Sequence, residues 1–268
     1  MENIFSFLSG GIVGGFLGGF AKFFWEKWLP DRMTWQRQQE VERDKLMSQL
    51  RAPALAAIYD LQSRIYVIAQ KQAANYEYVK RMRQEEYYVD STTFLVAQCF
   101  AWLGALRKKM ATFDYAALFT RLEGVSKSFA GGQPGFQLFW LEQREIGERM
   151  LRATDATDVQ CMGYSEFLDS LRTKATPSCF SSLRKKVAVM REDWPKEVVR
   201  LTRIQHALVE TVNFIDPDAR WVPQNRRDRL SVEKIIERLV ADKLVSKEKA
   251  EKLTKEACER GLIQGAVV

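Results

Sequence analysis

One histidine, His206, serves a chain of 268 residues. That scarcity excludes a multi-histidine metal site and the HExxH helix, and any Ser–His or Cys–His catalysis would have to use this one imidazole. The four cysteines, Cys99, Cys161, Cys179 and Cys258, form no CxxC pair. Scattered in this way they offer no zinc knuckle or redox dithiol, and fit small hydrophobes in a reducing compartment. No GxSxG, P-loop or dinucleotide glycine fingerprint stands in a useful context. No series of alternating apolar and polar residues marks a strand of any length. No cofactor or metal is expected, and no local signature selects a nucleophile.

Charge is also in short supply at one end. From Ile4 to Trp25 the sequence reads IFSFLSGGIVGGFLGGFAKFFW, with no charged residue before Lys22. A helix of roughly 20 apolar residues spans the ~30 Å hydrocarbon core of a bilayer, and Lys22 can snorkel to the far interface. Glycines recur four apart in two adjacent rows, one of Gly10, Gly14 and Gly18, the other of Gly11, Gly15 and Gly19. Such rows form the small-residue groove through which membrane helices approach one another. A cleaved signal peptide fits poorly, because the n-region carries only Glu2 and the run ends in aromatics, including Trp25 and Trp28. Lys22, Lys27, Arg32 and Arg37 lie on the C-terminal side, against Glu2 alone on the other, so the positive-inside rule places the body in the cytoplasm. The expectation is a self-associating single-pass anchor in a bacterial inner membrane, with the bilayer and further copies of the chain as its partners.

The remaining residues read as all-α. A polar, charge-laced helix over 34–49 forms a stalk, and Pro53 marks the start of the next helix, with Ala54, Leu55, Ile58, Leu61, Ile65 and Ile68 at helical spacing. A helix over 91–112 opens on a cap at Asp90 or Ser91. Further helices fall at 115–129, 136–152, 164–174, 178–191 and 195–214. Ser231 and Ser246 cap two short amphipathic helices, with Gly261 as a stop. The domain reading is anchor 1–30, stalk 31–51, helical bundle 52–222, and linker with C-terminal hairpin 223–268.

The net charge of +7 is modest. The longest one-signed stretch runs from Ser170 to Arg191, where Arg172, Lys174, Arg184, Lys185 and Lys186 have no acid among them. It reads as a solvated face or as a surface for RNA or a partner protein. Asp60, Arg64, Arg144 and Glu148 form a candidate polar network, in which a buried Arg144–Glu148 pair links its helix to the segment around Asp60.

Arg200 is followed by His206 on a helix, RLTRIQH. This spacing resembles the R-x(4–6)-H motif of the HEPN superfamily, all-helical domains that often act as metal-independent ribonucleases when two copies pair. The resemblance implies Arg200 for transition-state charge and His206 for proton transfer; Leu201 stands where those nucleases usually carry a polar residue. The order AIYDLQSRIY, STTFLVAQCFAWLGALRKKM, LEQREIGERM and RLTRIQHALVETVNFIDP over 52–217 also resembles a widespread bacterial family of helical proteins, which implies the fold and no catalytic residue. As a whole, one self-associating anchor joined to a helical body resembles membrane effectors of antiphage immunity, CRISPR-associated accessory proteins among them. Three readings stay open: an oligomeric membrane effector or accessory subunit of antiviral defence, a membrane-tethered HEPN ribonuclease, and a membrane scaffold without a defence role.

Overall fold

A computed structural model describes residues 29–71, 85–110, 116–131, 135–153, 159–173 and 178–263. The anchor segment lies outside these residues, and so do all six glycines of its two rows, Gly10, Gly14 and Gly18 with Gly11, Gly15 and Gly19. The described chain is predominantly helical: α1 (Leu29–Lys71), α2 (Glu85–Met110), α3 (Ala116–Ala130), α4 (Trp140–Met150), α5 (Tyr164–Arg172), α6 (Ser178–Glu192), α7 (Trp194–Ile215), α8 (Val232–Ala241) and α9 (Lys247–Glu259). A two-stranded antiparallel ribbon, β1 (Leu151–Ala153) with β2 (Val159–Cys161), pairs Arg152 with Gln160. Three residues per strand are too few to print a period-2 pattern, which is why the ribbon leaves no mark on the sequence.

The chain divides into two compact units, 1–49 and 50–268. Pro53 sits inside α1 rather than at the start of a helix. A proline there removes the hydrogen bond to the carbonyl four residues back, that of Gln49, which is the last residue of the first unit.

Within the second unit, α2 packs along α4 and also meets α3, α5 and α6; α3 lies along α7; and α8 and α9 pair with each other and dock on α7. The α1 stripe Ile58, Leu61, Ile65 and Ile68 is 2 % exposed or less. Edge-to-face aromatic contacts knit the layers, Phe100 on Phe129 and Phe167 on Phe180. One helix among the described residues, Glu86–Lys109, is long and apolar enough to cross a membrane, but it is mostly buried mid-chain inside the bundle. Its apolarity is that of a core helix.

α2 begins before the anticipated cap. Asp90 and Ser91 lie buried inside the helix, where Asp90 receives the Arg184 Nε of α6 at 2.6 Å and Ser91 Oγ donates to the Tyr88 carbonyl. At the C-terminal end the sequence signals hold. Ser231 and Ser246 accept from the backbone N–H groups of Lys234 and Lys249, and Gly261 adopts φ +68°.

Candidate functional site

The Arg200/His206 helix is α7, fixed by α3 on one side and by the C-terminal hairpin on another. Six residues of α-helix advance about 9 Å and turn about 240°, so the two side chains leave on different faces. His206 Nε2 lies 2.8 Å from the Leu230 carbonyl. Burial lowers the imidazole pKa against the pull of that carbonyl. Its neighbour Gln205 donates to the Asp228 carbonyl and to Gln62 Oε1, and accepts from the Leu230 N–H. Gln62 in turn donates to the Arg226 carbonyl. Gln62, Gln205 and His206 therefore seat the linker between α7 and α8, and Arg227 completes the seat. Its guanidinium bonds the Val222 carbonyl and, at 2.6 Å, the Asp216 carboxylate. Asp216 also accepts three successive backbone N–H groups, those of residues 220 to 222. Burial works against the ionised carboxylate, but these donors and Arg227 hold its pKa below the ordinary range.

Arg200 is 6 % exposed and pairs with Glu197 at 3.3 Å. Glu197 Oε1 also accepts the Phe136 N–H. Burial pushes the Glu197 carboxyl up despite Arg200, and pushes the Arg200 guanidinium down despite Glu197 and Glu256. This pair lines a cavity of about 860 Å³ between the N-terminal turns of α7 and helix α9, which contributes Lys249, Lys255 and Glu256. His206 does not line it. Within one chain, the arginine and histidine of the R-x5-H pattern are not brought to one site.

The basic segment is less basic in three dimensions than in one. Arg184 is taken up by Asp90 and Glu86, and Lys186 by the Gln137 carbonyl and Glu142. Arg172 and Lys185 remain exposed, and Lys174 lies outside the described residues. The Arg144–Glu148 pair forms at 3.0 Å, but on the surface rather than buried, with side chains 70 % and 46 % exposed. Lys108 joins it at 3.7 Å. Among the described residues, neither Asp60 nor Arg64 bonds to it: Asp60 is exposed, and Arg64 lies over the Tyr88 ring.

A second cavity, of about 470 Å³, lies between α2, α3 and α4. Phe100, Leu103, Phe119, Trp140 and Leu141 give it an apolar, aromatic wall, and Arg107 is the least exposed of its cations. Arg107 Nη2 is held by the Leu122 carbonyl at 2.8 Å and by Ser126 Oγ at 2.6 Å, and the guanidinium lies over the Trp140 ring. Of its lining, sequence reasoning singles out only Arg144 and Glu148, and for a polar network rather than for a cavity. A further signal is Gly104, an isolated glycine inside the apolar helical run AWLGALRKKM.

Two of the four thiols are poor nucleophiles. Burial pushes Cys99 to about 12 and Cys161 to about 11, so both stay protonated at neutral pH. No protein-family model, no curated protein and no solved structure matches this chain.

Proposed function

We propose that this chain is an oligomeric single-pass inner-membrane protein, an effector or accessory subunit of bacterial antiviral defence that acts by perturbing the membrane. The two glycine rows, Gly10 to Gly18 and Gly11 to Gly19, assemble it, and the helical body binds and couples rather than catalyses. The observation that carries the non-catalytic half is the placement of the only imidazole. His206 is occupied in holding the Leu230 carbonyl, while Arg200 faces a different cavity, paired with Glu197. The membrane half rests on the apolar stretch of 4–25 and its glycine spacing.

The test compares the wild type, His206→Ala and a chain lacking residues 1–30 in cells challenged with phage, following survival and membrane potential, alongside RNA integrity with purified protein. Protection with depolarisation is expected from wild type and from His206→Ala, and loss of both without residues 1–30. Wild-type RNA cleavage that is lost on His206→Ala and kept by the anchorless body would overturn the proposal in favour of a ribonuclease. Absence of protection from the wild type would remove the defence role.

A further inference from the structure

The cavity between α2, α3 and α4 is not explained by assembly in a membrane. Its volume of about 470 Å³ falls in the ~300–1,000 Å³ range of small-molecule sites, and its lining follows their pattern of apolar and aromatic walls with a few placed polar groups. Three of the wall residues also show large apolar side chains to solvent at the mouth, Phe119, Trp140 and Leu141, which are 47 %, 39 % and 78 % exposed. Surface apolar groups clustered at the rim of a cleft mark interaction sites rather than ordinary surface.

Two features give this cleft a ligand chemistry. The first is Gly104. A Cβ built there meets nothing within 4 Å, so the glycine is not required by close packing. It keeps a lining position of α2 empty at a helix-interior site where glycine costs about 1 kcal/mol. The second is Arg107. Its Nη2 is pinned by two acceptors, and its guanidinium is set over the Trp140 ring of the wall. The other charges of the lining largely cancel. Glu148 is shared by Arg144 and Lys108, and Glu123 is shared by Lys127, outside the cavity, and Arg107 itself. Three cations therefore face two acids, an excess of one positive charge.

We infer that this cavity binds a small amphipathic monoanion, an apolar or aromatic body carrying one carboxylate-type head. The body lies in the Phe100–Leu103–Trp140 slot, and the head is drawn to the Arg107 guanidinium. A cationic ligand of the same body is disfavoured, because Arg107 already covers the Trp140 face and like charges in an apolar site repel strongly. This site is independent of the anchor and of any defence role.

The probe is 2-naphthoate, titrated by fluorescence anisotropy into the full-length chain in lipid nanodiscs, with empty nanodiscs as the blank. The amine of the same ring, 2-naphthylmethylammonium, is the charge control. Saturable binding of one 2-naphthoate per chain is expected, at least ~10-fold tighter than the amine, as a charge-assisted hydrogen bond provides. Gly104→Leu should abolish it with no loss of thermal stability, since the side chain grows into open space. Arg107→Gln should erase the preference for the anion over the amine. Three results would each overturn the assignment: no saturable binding, binding unchanged in a folded Gly104→Leu chain, or equal affinity of wild type for the two probes.

Discussion

Gly135 adopts φ +146°, and a Cβ at that position would run into the Glu197 carboxylate. The glycine thus admits the acid that braces Arg200 and caps the Phe136 N–H. Gly135→Ala is expected to lower stability by about 1–3 kcal/mol, read by urea denaturation; an unchanged midpoint would mean that Glu197 swings clear at no cost. The linker seat makes a second prediction, in pH. Both His206 and Asp216 have folded pKa values below their ordinary ones. A group so shifted contributes stability above its unfolded pKa and loses it as the pH falls through the folded value. The His206 contribution should therefore fade below about pH 6.5, and that of Asp216 only below about pH 4. His206→Gln should flatten the upper part of the acid-denaturation profile and leave the lower. Asp216→Asn should remove the lower part and cost about 3 kcal/mol or more at neutral pH, because it leaves Arg227 buried without its anion.

Helices α2 and α4 approach closely at Gly147, where an added Cβ would stand 2.7 Å from the Phe100 carbonyl oxygen. Gly104, on the α2 side of the same pair, has open space instead. Alanine should therefore act with opposite sign at the two positions. Gly147→Ala is expected to destabilise by about 1–3 kcal/mol through overpacking, and Gly104→Ala to stabilise by up to about 1 kcal/mol through helix propensity. Thermal unfolding of the two variants side by side tests it, and a shift of the same sign in both would refute the packing argument. The contrast also shows what a sequence can and cannot reveal. Ser231, Ser246 and Gly261 are readable because a cap acts within three or four residues of itself. Asp90 and Ser91 look like a cap and are not one, because the group that accommodates Asp90 is Arg184, 94 positions away. The basic run of 170–191 misleads for the same reason, its acids Glu86, Asp90 and Glu142 lying on other helices. The cavity around Arg107 needs three helices to exist, and the sequence marks only Gly104, Arg144 and Glu148 of its lining.

For the whole chain, assembly and topology are the testable quantities. Gly14→Leu or Gly15→Leu is expected to reduce the detergent-stable subunit count without altering the helical signal of the body, since a bulky side chain fills the proposed groove; an unchanged count in both would refute it. A reporter fused after Val268 should be on the cytoplasmic side, because Lys22 near the end of the apolar stretch and Lys27, Arg32 and Arg37 beyond it hold that flank inside; external protease access to the reporter would reverse the orientation. The linker seat has a consequence for synthesis as well. Gln62 on α1 waits for Gln205 and Arg226, which are 143 and 164 residues downstream. At a ribosomal pace of about 5–20 residues per second, that separation is roughly 7–33 s. Through that interval α1 has been made but its polar seats, and the residues that lock them, have not, so its apolar stripe is on view to the translation machinery. This protein should consequently be a client of a ribosome-bound holding chaperone, and its yield should fall more steeply than its stability when that chaperone is removed.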